Sequence, residues 1–350
     1  MPTMKSVLTR AENEIEVVEV ERPVAGPRDA VGRVRACGIC GTDTFFVHMG
    51  GTPYSADGSV VPLPLGHEPA GEVVEVVEVG AEVSDLKVGD RVVVNPQGAP
   101  SGIIGCGGEL GGMNEYLLIE DAELGRSVAV FPDSLPFDVA ALNEPMAVAR
   151  HCVNRSGAGP RDKVVVFGAG PIGLGATIWL KLRGVEHVVV ADVLPERLRL
   201  ALAVGADAVI DSATEDITAR LVELHGPGAN ALGQTRAGTD IYIDAAGVPA
   251  VFHTAVDSAK WKAKLVMVAV QKPSDTIDLG GMLRSELTLI ASQGYPTEIF
   301  EVTAEIAEHQ ERFARLISHR VPFSEVARAF ELALTPGAAE KVVVTFDGRE

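Results

Sequence analysis

Two groups of residues in this 350-residue chain have types and spacings that could do chemistry. The first is the glycine turn Gly168-Ala169-Gly170-Pro171-Ile172-Gly173, which follows the apolar run 163–167 and opens a helical period over 173–183. In that setting the first glycine makes a tight turn and the second lets the backbone approach a pyrophosphate. The third packs helix against strand, while the helix N-terminus supplies N–H donors and the positive end of its dipole. Asp192 closes the next apolar run, 187–191. A carboxylate there accepts a hydrogen bond from a ribose 2′-hydroxyl and repels a 2′-phosphate, and Val193 and Leu194 bring no cation to reverse that preference. Arg197, one turn on, can reach the adenosine ribose or a phosphate. The expected cofactor is therefore NAD rather than NADP, and Ala245, Val268 and Val270 are counted with this site. The plainer alternative is a βαβ unit that merely has a glycine-rich turn.

The second group is spread over three segments, Cys40-Gly41-Thr42-Asp43, Gly66-His67-Glu68 and Asn143-Glu144-Pro145. Zinc favours tetrahedral sites of thiolate, imidazole and carboxylate, and a catalytic site uses three such ligands with one position open. Taken singly, Cys40 could be a buried thiol, His67 a turn residue and Glu144 a surface carboxylate near a helix start. Spacing alone leaves these readings open. Cys37 and Cys40 are also spaced like a redox pair, but no thioredoxin-like context surrounds them, and Cys37 reads as a small buried residue ending a strand.

These residues need elements to hold them. Residues 1–150 are short Val-, Gly- and Pro-rich runs broken by turns, the pattern of a compact β barrel or sandwich. From Lys163 onward, strands alternate with helices: apolar runs at 163–167, 187–191, 208–210, 240–244, 264–270 and 287–292 give six candidate parallel strands of a doubly wound sheet. The stretch between Gly226 and Gly238 reads as an exposed loop. After Ser292, one helix (297–318) and a last strand (341–346) are expected to return to the first domain. The domains are placed at 1–151, 152–292 and 293–350, the last a return to the first.

Composition narrows the partners. Hydrophobic residues make up 47% and charged residues 22%, the balance of a globular protein. The net charge of −18 repels nucleic-acid phosphates and anionic membranes. No apolar run reaches the roughly 20 residues that span a bilayer. Residues 1–16 lack a signal-peptide stretch, so a cytoplasmic location is expected. Four cysteines (Cys37, Cys40, Cys106, Cys152) are too few for a disulfide scaffold.

Together these residues resemble the zinc-dependent medium-chain dehydrogenase/reductases of the alcohol dehydrogenase superfamily, nearest the polyol, butanediol and threonine dehydrogenase branch. The resemblance spans nearly the whole chain: Cys37 to Asp43, Gly66-His67-Glu68, Val88-Gly89-Asp90-Arg91-Val92, Glu144-Pro145, the glycine turn, Asp192 and 341–346. It implies a GroES-like β-rich catalytic domain with a Rossmann domain inserted, and a catalytic zinc held by Cys40, His67 and Glu144. Glu68 would be the nearby carboxylate that exchanges with water on the metal, and Asp43 would accept the free N–H of His67. Thr42 would pass the alcohol proton toward the nicotinamide ribose, and Lys341 would lie near the cofactor phosphates. The implied reaction is reversible hydride transfer between a secondary alcohol and NAD.

Two departures from the family pattern stand out. Only Cys106 lies between Asn95 and Tyr116, where relatives carry four cysteines, so no structural zinc is expected. Phe45 occupies the place of the usual relay histidine, leaving His48 as a substitute or a surface residue. His151 shares a helical face with Glu144 as either a further ligand or a packing residue. Phe45, Phe46, His48 and Tyr54 are candidates to shape the pocket, whose aromatic walls suit a modestly apolar alcohol as well as a polyol, and either Phe could equally pack the core. A vicinal diol or sugar alcohol is the first expectation, a simple secondary alcohol or its ketone the second. The partners expected are a small alcohol or ketone and further copies of the chain, as homodimer or homotetramer, with 287–292 as a sheet-edge interface. Two other readings are a zinc-independent NAD(P)H quinone or enoyl reductase of the same fold and a non-enzymatic binding protein built on it.

Overall fold

The computed structural model describes residues 2–52, 59–76, 83, 85–270 and 276–346, with the side chains of 74–76 left aside. Tyr54 lies outside the described residues. The chain divides into two compact units, 1–144 with 299–350, and 145–298. Both seams fall inside continuous helices, Asn143–Ser156 and Glu298–Glu308.

The first unit is built on a seven-stranded sheet. Its strands run in the order Ile317–Pro322, Lys341–Thr345, Ala30–Gly38, Glu68–Val76, Arg91–Val94 and Val128–Val130, with Tyr116–Ile119 paired to Ala30–Gly38 off that path. Ala30–Gly38 is the organising strand, because it pairs antiparallel with three neighbours. It is buried nearly end to end, as its alternation of small and β-branched residues requires. Val34, Leu65, Val92, Ile119, Val344 and Phe330 join one core, each apolar side chain contributing about 1.5–3 kcal/mol when fully buried. The chain leaves this strand at Cys40 and turns into the helix Gly41–Met49. Asp43 starts that helix by accepting the Cys40 N–H at 2.8 Å, and Gly50 stops it in the left-handed conformation at φ 74°.

The second unit is a six-stranded parallel sheet ordered Ala208–Asp211, His187–Asp192, Lys163–Phe167, Ile241–Asp244, Lys264–Met267, Thr288–Ala291. In chain order this is 3-2-1-4-5-6, the doubly wound arrangement, and the expected α/β fold class stands. The central strands are dry on both faces, with Val164, Val165, Val166, Val188, Val189 and Val190 all at 0% exposure, which is why they read as unbroken apolar runs.

Two expectations about elements are corrected. The 226–238 stretch carries a small antiparallel hairpin, Pro227–Ala229 with Thr235–Ala237, whose strands are too short and glycine-rich to show a period. The expected helix over 297–318 is two helices, Glu298–Glu308 and Gln310–Ala314, broken at His309, followed by the strand Ile317–Pro322. That strand, with β-branched Ile317 and Val321 and a closing Pro322, pairs with Lys341–Thr345. A further helix, Val326–Leu334, lies between them. Among the described residues no helix is long and apolar enough to cross a membrane.

Candidate functional site

Three strands and a helix start assemble a buried polar group in the first unit. Gly38 pairs with Glu68 across one side of the central strand and with Val343 across the other. His67 is the residue before Glu68, and Cys40 follows Gly38 by two residues. Ligand atoms of Cys40, His67 and Glu68 all lie within 4.8 Å of one another. His67 is 5% exposed and Glu68 1%, while Cys40 is only half buried, so the group meets solvent on its cysteine side.

Asp43 sits behind this group with no exposed surface. Its carboxylate accepts the backbone N–H of Cys40 at 2.8 Å and of Gly66 at 2.9 Å, and lies 3.6 Å from His67 Nδ1. That last separation is an ion-pair contact, longer than the hydrogen bond the sequence suggested. Burial alone would raise the Asp43 pKa, yet the His67 ring and the two N–H donors hold it below the ordinary carboxylate range. Burial would likewise lower the His67 pKa, but Asp43 and Cys40 carry it well above the usual histidine value. A site that draws a proton onto a buried imidazole is negative and favours a cation.

Cys37, one strand position from the Gly38–Glu68 pair, is fully buried, and burial together with Asp43 and Glu68 pushes its thiol far up. It is the inert core residue the sequence suggested and no redox partner for Cys40.

Glu144 falls outside the compact triad. It is 9% exposed at the start of the helix Asn143–Ser156, and its charge is felt by both Cys106 and Lys341. Thr42 is half buried, with its Oγ1 accepting from Cys40 Sγ at 3.9 Å. His48 is not brought to the group. It projects from the exposed last turn of its helix, and its Nδ1 pairs with Asn13 Oδ1 at 3.0 Å, because seven residues put it two turns from the helix start. Phe46 is core at 2% exposure and Phe45 surface at 44%. Lys341 also departs from its expected role beside phosphates. Its side chain is 2% exposed, and its Nζ donates to Glu68 Oε1 at 2.6 Å and to the Ile39 carbonyl at 3.0 Å. The register that joins residues 273 apart in sequence was not readable from the chain.

Cys106 was also missed as a neighbour of this group. Gly66 is packed backbone to backbone by the 98–112 segment: a Cβ on Gly105 would stand 2.1 Å from the Gly66 carbonyl, and Gly112 N–H bonds that same carbonyl at 2.7 Å. The adjacent Cys106 is half buried, and burial raises its thiol pKa while the charges of His67, Asp43, Cys40 and Glu144 all reach it.

The second unit carries the glycine turn at the carboxyl end of the strand Lys163–Phe167, next to Ile241–Asp244, where the strand order reverses. Gly168 has φ 90°, and a Cβ there would press on the Ala245 and Ala246 backbone at 3.0 Å. At Gly173 a Cβ would stand 1.8 Å from the Gly168 carbonyl, so only glycine lets helix and turn pack this closely. Gly170 has open space beside it, and Pro171 and Ile172 begin the helix Pro171–Leu182 with Pro171 in its first turn. Asp192 is 8% exposed, and its two oxygens accept the Ala169 N–H at 2.7 Å and the Leu194 N–H at 2.9 Å. A carboxylate keeps further lone pairs for a ligand hydroxyl. Arg197 is half buried in the first turn of the next helix. Ala245 follows the strand Ile241–Asp244, and Val268 and Val270 follow Lys264–Met267, so all three stand at the same carboxyl edge as the turn. His151 bonds Glu298 at 3.0 Å, which makes it a packing residue.

A doubly wound sheet with this turn, joined to a β-rich unit holding a Cys/His/Glu group, defines a two-domain dehydrogenase. Residues 26–128 match the alcohol dehydrogenase GroES-like domain and residues 171–308 the zinc-binding dehydrogenase domain. The (R,R)-butanediol dehydrogenase of Bacillus subtilis strain 168 is 32% identical over 311 residues, covering 83% of this chain and 85% of its own length. The chain belongs to the zinc-binding alcohol dehydrogenase family, whose members are oxidoreductases. Among solved structures, a short-chain alcohol dehydrogenase of Escherichia coli CFT073 in complex with NADH has 26% identity and TM-score 0.81, covering 99% of this chain and 100% of that one. A zinc-binding dehydrogenase of Sinorhizobium meliloti 1021 bound to NADP has 27% identity and TM-score 0.83, with the same coverage.

Proposed function

We propose that this alcohol/polyol dehydrogenase moves a hydride reversibly between NAD and a secondary alcohol, a vicinal diol or sugar alcohol. The observation that carries the reading is the Cys40, His67 and Glu68 group, buried at its histidine and glutamate and half buried at its cysteine, whose electrostatics favour a cation. Its donor set of thiolate, imidazole and carboxylate suits zinc. Cys40, His67 and Glu144 would hold that ion, with Glu68 the nearby carboxylate able to exchange onto it, one zinc per chain and no structural zinc. When bound, zinc supplies a Lewis acid that eases loss of the alcohol proton at neutral pH, and NAD supplies the hydride acceptor.

The chain's own residues do the rest. Asp43 fixes the His67 ring and the Cys40 backbone from behind. Thr42, at the solvent side of Cys40, takes the substrate proton outward through its hydroxyl. The N-terminus of the helix Pro171–Leu182 receives the pyrophosphate, and Asp192 the ribose hydroxyl, which favours NAD over NADP. The butanediol substrate in the name of the B. subtilis relative supports a vicinal diol. The strand Thr288–Ala291 ends the parallel sheet with most of its residues exposed, which supports a homodimer or homotetramer joined at that edge. A cytoplasmic location fits its reduced, free cysteines.

A panel of vicinal diols, sugar alcohols and simple secondary alcohols, read by NADH absorbance with and without a zinc chelator, tests this reading. Chelator-sensitive NADH formation on a diol or polyol is expected. Turnover that ignores the chelator, or that requires NADP, overturns it.

A further inference from the structure

The partner of Glu68 is an ammonium that no function has yet been given. Lys341 and Glu68 are a fully buried pair, with side chains 2% and 0% exposed. The lysine Nζ donates to Oε1 of the carboxylate and also lies against Oε2 as an ion pair, and another of its protons goes to the carbonyl of Ile39, the residue before Cys40. Three adjacent strands build the pair: Lys341 begins one, Gly38 ends the next and Glu68 begins the third. Gly38 is the floor beneath it, since a Cβ there would stand 1.8 Å from Glu68 Oε2 and 3.0 Å from Lys341 Cε. One carboxylate therefore sits between an ammonium and the two other candidate metal donors, within 4.8 Å of both.

We propose that Lys341 is a positioning residue that competes with the metal for the Glu68 carboxylate and so sets how readily Glu68 becomes a metal ligand. The inference rests on the zinc reading above. With Lys341 in place, the ammonium neutralises Glu68 and holds it off the metal. Without it, Glu68 is a buried carboxylate whose nearest cation is the metal, and leaving it unpaired costs several kcal/mol. It then turns to the metal and closes the position a substrate needs. A purely structural Lys341, anchoring Ile39 and the Cys40 backbone, predicts the opposite sign, because losing that anchor loosens the metal.

The test uses the full-length protein loaded with zinc or Co(II), with metal release to a chelator and the visible Co(II) spectrum as readouts. Release from Lys341→Met is expected to slow about tenfold or more, opposite in sign to the roughly 10- to 100-fold loss of affinity that follows removal of a residue supporting a metal ligand, with a shifted Co(II) band. Lys341→Arg should release at the wild-type rate, and the double variant Lys341→Met with Glu68→Gln should return to it. Release from Lys341→Met as fast as wild type or faster overturns the proposal, as does a double variant that stays slow. Should Lys341→Met not fold, Glu68→Gln alone decides. An unchanged Co(II) spectrum supports a Glu68 held by Lys341, and a changed one overturns it. A wild-type chain that takes up no metal overturns the zinc reading itself, whereas a loaded chain without these effects overturns only the role of Lys341.

Discussion

Asp43→Asn is the most informative perturbation of the metal group, because it keeps the shape and removes the charge. In the wild type, Oδ2 accepts the Cys40 N–H at 2.8 Å, and Oδ1 accepts the Gly66 N–H at 2.9 Å while lying 3.6 Å from His67 Nδ1. An asparagine has one acceptor oxygen for these positions. Placed toward Gly66 and His67, it leaves its NH2 facing the Cys40 N–H, donor against donor, at the residue that caps the helix Gly41–Met49. One buried N–H then goes unsatisfied, at a cost of about 1–3 kcal/mol in stability. Loss of the charge behind His67 should weaken metal binding about 10- to 100-fold, as for other partners of metal-ligating histidines. Competition with a chromophoric chelator measures the second effect, and thermal unfolding of the metal-free protein measures the first. Metal affinity within twofold of wild type, with unchanged stability, refutes the role given to Asp43.

Other consequences are equally direct. Gly173→Ala puts a Cβ 1.8 Å from the Gly168 carbonyl, so it should cost about 1–3 kcal/mol of stability and weaken NADH binding in a fluorescence titration. Asp192→Ala removes the acceptor for a ribose hydroxyl and the Ala169 and Leu194 hydrogen bonds, so the kcat/KM ratio of NAD to NADP should fall about tenfold or more. His225 is held neutral by burial and by the nearby charges of His187 and Lys163, with its pKa depressed from 6.5 to about 3. The unfolded chain therefore binds a proton that the folded one refuses, and stability is lost as pH falls from about 6.5 toward 3. His225→Gln should flatten that acid limb by up to about 1.4 kcal/mol per pH unit, measured by denaturant melts at successive pH values; an unchanged slope contradicts it.

Much of the second unit was legible because its chemistry is local. The glycine turn, its strand and helix, and Asp192 all lie within 30 residues, and the dry central strands appear as runs of valine. The metal group is different, since Cys40 and the His67-Glu68 pair are distant in sequence and meet only through strand pairing. Their residue types were readable, but the neighbours that govern them were not. Lys341 pairs with Glu68 instead of a phosphate because two antiparallel registers converge on Gly38. Cys106 reaches the group because the 98–112 segment packs on Gly66 through glycine backbones that carry no hydrophobic pattern. His48 looked available by proximity in sequence, and helix geometry turned it outward to Asn13.

The central claim is that Cys40 and His67 hold the metal on which the chemistry depends. Metal content per chain, measured by mass spectrometry on purified wild type and on Cys40→Ser, tests it most directly. The account predicts one zinc in the wild type and almost none in the variant. A wild-type chain without zinc, or a Cys40→Ser chain that keeps its full complement, contradicts it.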